Sequence, residues 1–306
     1  MPTKKKGSRT GIRLFAKLLL QALREMKRND PLRMAGATAF FTTFALPPIL
    51  IILFQLFSLF LSQKMVGAEL SQFLSDTLGR DAATQLRQIT RGFRTIVQHW
   101  YTAALGFVFL LFVATTLFTV VRNTLNDIWN IKIKEKAGLL FGLGMRARSI
   151  VIIVAAGILF FAGIFIDSFE AIAGNNLDMI WPGGGKFFKG VLDEVISAVI
   201  VTTWFILLFR YLADGRPTWK ASIAGGVLTG ILFSIGQTVL SYLIIHSNIG
   251  SIYGKSASFV LILLFVFYSS FILYFGASFI QAYSDAKGTP VFPLRKAVRY
   301  RLQEVK

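Results

Sequence analysis

The sequence predicts an all-α polytopic membrane protein, with six transmembrane helices, an N-terminal interfacial helix and an extracytoplasmic helical hairpin. Three observations predict it. Hydrophobic residues make up 54% of the 306, with 30 Phe against only 15 Asp and Glu. A water-soluble domain cannot bury that much apolar surface, whereas hydrocarbon accepts it as a solvent. The apolar residues gather into six stretches near the ~20 residues that a helix needs to cross a bilayer core. Basic residues, finally, collect at one set of ends of those stretches.

The first 34 residues form a basic segment. It begins polar and basic, without an apolar core and a small-residue cleavage site, so no cleavable signal peptide is expected. Within it, 12–28 reads as an amphipathic helix. At a helical rotation of about 100° per residue, Arg13, Lys17, Arg24 and Arg28 fall within about 60° of one another, with Phe15, Leu19, Ala22 and Met26 on the far side. Such a helix suits the headgroup boundary. Packing against the cytoplasmic ends of a bundle is the other reading, and the two are compatible.

The membrane domain is expected over 35–283. Its first span, 35–61, is interrupted by Pro47 and Pro48. Proline removes a backbone donor and crowds the preceding turn, so a kink or break is expected near Ala45. The connection 63–100 is too long for a turn. Leu70, Phe73 and Leu74, then Leu86, Ile89, Phe93, Ile96 and Trp100, recur at helical spacing and predict the outer hairpin. Arg87, Arg91 and Arg94 share a face there, read as solvated or as a contact for lipid phosphates. The second and third spans are 101–121 and 150–166. The loop 173–190 holds Trp181-Pro182-Gly183-Gly184-Gly185, an irregular turn with an interfacial Trp; it lacks the Lys-Ser/Thr ending of a phosphate loop. The fourth span, 191–212, opens with Asp193 and Glu194 at the interface. The fifth, 221–245, carries Ser222, Gly226, Gly230 and Ser234 at intervals of four, a column that lets another helix approach closely. The sixth span is 256–283, and 284–306 is a basic cytoplasmic tail.

Orientation follows from Lys and Arg in the connections. The N-terminal segment has ten, 122–148 has six, 210–220 has three and the tail has six, so 25 of the 33 lie on one side. That places both termini in the cytoplasm and the chain in a bacterial inner membrane. The same distribution explains the net charge of +18 as attraction to anionic lipid headgroups; no compact basic domain suited to nucleic acid is present.

Catalytic chemistry finds few candidates. There is no Cys, and the two histidines, His99 and His246, lie at outer ends of spans. Neither HExxH nor GxSxG occurs. No enzyme activity, cofactor or metal is expected. Polar residues near the spans are better candidates, because hydrocarbon makes them costly. They are Asn126, Asp127 and Trp129 after the second span, Arg210 and Arg216 after the fourth, Gln237 in the fifth, and Tyr268 and Ser278 in the last. Asp127 opposite Arg210 or Arg216 is the expected ion pair, serving the bundle or a substrate.

Four pieces of sequence carry a family resemblance. They are Arg33-Met-Ala-Gly-Ala-Thr-Ala-Phe-Phe with Ala45-Leu-Pro-Pro; Asn126-Asp-Ile-Trp-Asn; Arg210-Tyr with Arg216-Pro217; and Ser251-Ile-Tyr-Gly-Lys-Ser-Ala leading to Tyr268-Ser-Ser and Gly276-Ala-Ser. In order and spacing they resemble the YihY/BrkB family, once labelled ribonuclease BN. The resemblance implies a six-span inner-membrane protein linked to envelope lipid traffic and serum resistance; it does not imply ribonuclease activity. Family members commonly have Glu where Ser278 stands, and a Trp before the Tyr-Ser pair where this chain has Phe265 and Phe267 nearby.

The functional expectation is a transporter or transport-accessory protein for a lipid or lipid-linked anionic amphiphile. Pro47 and Pro48 would shape a cavity, and Arg210 and Arg216 would attract a phosphate. The alternative is a non-transporting scaffold that recruits envelope proteins. A polar groove favours transport, and a sealed apolar interior favours the scaffold.

Overall fold

The computed structural model describes residues 7–57, 100–133, 147–159, 184–246, 257–294 and 297–300, with isolated positions between them. Seven helices account for most of this: α1 (Gly7–Arg28), α2 (Pro31–Phe57), α3 (Trp100–Ile128), α4 (Ala147–Leu159), α5 (Gly184–Tyr211), α6 (Trp219–His246) and α7 (Ala257–Ala286). Four short strands follow helix ends: β1 (Ile131–Ile133), β2 (Gly215–Arg216), β3 (Phe292–Pro293) and β4 (Ala297–Arg299).

Among the described residues, four helices are long and apolar enough to cross a membrane: Pro31–Ile51, Glu194–Tyr211, Trp219–Leu240 and Phe259–Ala286. They carry the first, fourth, fifth and sixth expected spans. The second lies within the 29-residue α3, about 44 Å long at 1.5 Å per residue. Of the third, only the part within α4 is described, and the hairpin at 63–100 lies almost wholly outside the described residues. The helices turn large apolar side chains outward, among them Phe40, Phe44, Phe109, Phe112, Ile158, Val199, Ile231 and Ile235. They turn Thr115, Arg122, Asn126, Ser222, Thr229 and Ser278 inward. Apolar outside and partly polar within is the pattern of a helical membrane protein, since lipid covers what water would reject.

α7 is the hub, packing against α1, α2, α3 and α6, while α5 packs against a neighbouring face of α6. The small-residue column of α6 serves these internal contacts. A Cβ on Gly226 or Gly230 would strike Ile206 or Thr202 of α5, and one on Gly225 would strike Ile280 of α7. Ser222 is fully buried. Of the two readings of α1, the structure shows the packing against the bundle. Leu18, Ala22 and Met26 are buried in the bundle and Phe15 meets Phe279 edge-on at 5.9 Å. Leu20 and Leu23 stay exposed beside the basic stripe of Arg13, Lys17, Arg24, Lys27 and Arg28.

Of the kink or break expected near Ala45, the break is not formed: the helix runs unbroken through Pro47 and Pro48. Both prolines are buried, and α2 is held between α3 and α7. Packing on both sides holds the backbone in place where the two prolines remove hydrogen bonds. Prolines in membrane helices are tolerated on these terms.

The tail folds back on the chain. β4 pairs antiparallel with β1, with Lys132 opposite Val298, and β3 pairs with β2. Two positions with positive φ shape this end: Asn130 at 54°, which closes α3, and Gly288 at 65°, just past α7. We refer to the end bearing these ribbons as the basal end. Elsewhere Gly36 of α2 has open space where a Cβ would stand. Gly36→Ala should therefore stabilise the protein by about 0.5–1 kcal/mol through helix propensity, read as a higher midpoint of thermal unfolding in detergent. A lower midpoint would show that the position needs its glycine.

Candidate functional site

The basal end holds a buried ion cluster built from three segments. On α3, Arg122 and Asn126 are four residues apart and so share a face. The turn after α5 supplies Asp214, and the start of α4 supplies Arg148. Arg122 donates from Nε and Nη2 to Asp214 Oδ2 at 2.9 and 2.6 Å, and Asn126 Nδ2 donates to the same oxygen at 2.8 Å. Arg148 Nη1 donates to Oδ1 at 3.2 Å. The Asp214 backbone is held as well, its N–H donating to Asn126 Oδ1 at 2.9 Å and its carbonyl accepting from Leu294 of the tail at 2.8 Å. Arg122 is 2% exposed and Asp214 5%. Two guanidinium groups facing one carboxylate leave one excess positive charge, borne by Arg148, the more exposed partner.

Around this cluster lies a set of single hydrogen bonds. Trp129, fully buried, donates from Nε1 to the Ala277 carbonyl of α7 at 3.0 Å. The next residue, Ser278, is also fully buried and donates to the Tyr274 carbonyl at 2.9 Å. The Tyr274 hydroxyl is hydrogen-bonded to that of Thr38 on α2. Gly215 lets the ribbon approach: a Cβ there would strike Ile131, Val291 and Trp129. On the tail, burial and the charge of Asp127 push the Tyr300 hydroxyl above its usual value, so it remains protonated at neutral pH.

Above this floor, a half-open cavity of about 930 Å³ lies among the helices. Its walls come from α2 to α7. Val121 and Leu208 lie at its basal limit, and Trp204, Phe205, Phe233 and Phe265 line its body. A band of polar groups interrupts the apolar wall: Thr38, Thr42, Ser234, Gln237, Ser269 and Ser270. At the end away from the ribbons it reaches the surface, where the lining residues Glu194, Ser197 and Thr238 are exposed. The volume lies within the range of about 300–1,000 Å³ typical of ligand sites. Among the described residues, no group of His, Cys, Asp or Glu could hold a metal ion.

The structure sorts the residues expected from sequence. Asn126 belongs to the ion cluster and Trp129 and Ser278 to the floor, while Gln237 and Ser234 line the cavity. Tyr268 donates to the Leu232 carbonyl at 3.1 Å, its ring lying over Gly236. Pro47 and Pro48 are buried in α2 and do not line the cavity. The expected pairing of Asp127 with Arg210 or Arg216 is not formed. Asp127 is exposed. Arg210 donates to the Pro217 carbonyl and lies 5.1 Å from the ring centre of Trp219, and exposed Arg216 sits in β2. The acid that matters is Asp214, and its partners are Arg122 and Arg148. A signal existed. Arg122, Asn126 and Trp129 follow the i, i+4, i+7 spacing of one helix face, whereas Asn123 and Asp127 fall on the neighbouring, exposed face.

A family model described as virulence factor BrkB matches residues 22–298. The chain is 24% identical over 265 residues to a UPF0761 membrane protein of Mannheimia succiniciproducens, covering 85% of this chain and 87% of that one. It is 24% identical over 260 residues to a UPF0761 membrane protein of Pseudomonas aeruginosa and 25% identical over 260 residues to one of Teredinibacter turnerae. Each of these matches covers 83% of this chain but only 59% and 57% of the relatives, so the chain spans less than two thirds of their length. No solved structure matches.

Proposed function

The chain belongs to the virulence factor BrkB family of membrane proteins, and on that premise we propose that it moves a lipid amphiphile, or helps to move one. In this reading six spans cross a bacterial inner membrane, with the basal end and both termini in the cytoplasm, as the distribution of Lys and Arg favours. The observation that carries the proposal is the cavity of about 930 Å³, with an apolar wall, a band of hydroxyl and amide groups and a mouth at the far end. A sealed scaffold has no use for such a space. An amphiphile does: its chain replaces contacts with lipid, and the polar band meets the groups next to its head.

The ion cluster beneath serves as the basal closure in this reading. It ties α3 and α4 to the carboxylate on the turn after α5, and the tail to the backbone carbonyl of the same residue, which keeps the cavity shut toward the cytoplasm. Anionic headgroups belong to the outside of the basal end, along the basic stripe of α1, where each Lys or Arg near the surface contributes about 1 kcal/mol. Arg210 and Arg216 take no part in the cavity, so the phosphate contact expected of them is not carried forward.

The test is lipid movement in reconstituted vesicles. The native protein should speed the passage of a labelled phospholipid between leaflets. Ser234→Trp, which places an indole in the cavity, should return the rate to that of protein-free vesicles, and Ser234→Ala should leave it nearly unchanged. No acceleration by the native protein, for phospholipid, lipid A precursor, polyprenyl phosphate or a labelled lipid with a neutral or cationic head, would overturn the proposal in favour of the scaffold.

A further inference from the structure

The charge at the cavity mouth bears on which head group enters, an inference that rests on the lipid-cavity reading above. Among the described lining residues only one is charged, and it is an acid, Glu194. It lies on α5, at the end of the cavity away from the ribbons. Its side chain is exposed and forms no ion pair among the described residues. α5 and α6 run antiparallel, with Gly230 against Thr202. That register brings Gln237 and Thr238 of α6 across from Glu194 and Ser197, so a carboxylate, an amide and two hydroxyls meet at one opening. The described cations near the bundle core are committed elsewhere: Arg122 and Arg148 are bound to Asp214 beyond the floor, and Arg210 lies over Trp219.

A phosphate head at this mouth would face the Glu194 carboxylate, the one charged side chain among the described lining residues. An amine-bearing head would gain that carboxylate, while its chain would lie among Trp204, Phe205, Phe233 and Phe265 further in. We infer that Glu194 makes the cavity selective for an amphiphile with an amine-bearing head over one with a phosphate head, a neutral polar head lying between. The chain provides affinity in the cavity, and the head provides discrimination at the rim.

The experiment compares dodecyltrimethylammonium, dodecyl maltoside and dodecyl phosphate, each bromine-tagged on the chain, by quenching of Trp204 in the full-length protein held in nanodiscs. Trp204→Phe supplies the background from the other four tryptophans. The native protein should bind the ammonium probe about tenfold more tightly than the phosphate probe, the scale of one partly screened charge interaction reversed in sign. Glu194→Gln should bring that ratio below about twofold with little change for the maltoside, and Glu194→Lys should invert it. Equal binding of the ammonium and phosphate probes by the native protein, or an unchanged ratio in Glu194→Gln, would overturn the inference. Ser234→Trp separates the two levels. If it abolishes maltoside binding, the cavity reading stands whatever Glu194 does. If the maltoside quenches equally with and without the indole, the cavity reading itself fails.

Discussion

Asp214→Ala should destabilise the protein by about 3–5 kcal/mol, the loss seen when one partner of a buried ion pair is removed. The asymmetry of the cluster sets the size. Asp214 Oδ2 takes three donors, two from Arg122 and one from Asn126. Removing the carboxylate leaves the Arg122 guanidinium, 2% exposed, charged and without its acceptor. Arg148 suffers less, because its side chain is 36% exposed and can turn toward water. Asn126 keeps half of its role, since Oδ1 accepts from the backbone of residue 214 whatever side chain stands there. The cost therefore centres on Arg122. This makes a second variant decisive: Arg122→Met with Asp214→Leu removes both charges and should recover most of the loss. Tryptophan fluorescence through thermal or denaturant unfolding in detergent measures both. A loss below about 1 kcal/mol in Asp214→Ala, or a double variant no better than the single, would show that the cluster does not hold the basal end.

That cluster also marks how far the sequence could be read. The positions of the first, fourth, fifth and sixth spans were legible because each rests on a property of a single stretch, its apolar length, and hydrocarbon imposes the same demand on every helix. The helical α1 was legible for a related reason, its charge falling on one side of a turn. Asp214 was not, since its significance is a long-range pairing: 92 positions separate it from Arg122. Nothing local distinguishes it from Asp127, which lies nearer to an aromatic and an amide in the chain yet faces outward. Only the face shared by Arg122, Asn126 and Trp129 pointed the right way. Pro47 and Pro48 misled for a complementary reason. Local chemistry favours a break there, but the packing of α2 between α3 and α7 overrides it. The ribbons of the tail were hidden because strands of two or three residues carry no periodicity to detect.

Gly276→Val tests the packing on which the cavity depends, and it should cost about 2–3 kcal/mol, the upper part of the range for overfilling a packed interior. Within a membrane, helices gain nothing by hiding apolar surface from each other, so close backbone approach carries the association. At Gly276 of α7, α6 comes close. A Cβ there would strike the Thr229 hydroxyl and would lie 3.0 Å from Phe209 Cζ of α5. Thr229 cannot easily retreat, being fully buried with its hydroxyl donating to the Gly225 carbonyl at 2.7 Å. The approach is mutual, since a Cβ on Gly225 would lie 3.4 Å from the Gly276 carbonyl. A branched side chain must therefore push α6 away from α7. That shift parts the two helices that supply Ser234 and Gln237 on one wall of the cavity and Ser269 and Ser270 on the other. Lipid movement should fall together with thermal stability. Thr229→Gly removes both Thr229 atoms in the way, and combined with the milder Gly276→Ala it should restore the close approach, leaving only a small adjustment of the Phe209 ring. Gly276→Val with native unfolding and native lipid movement would mean that α6 and α7 are not held together by this crossing.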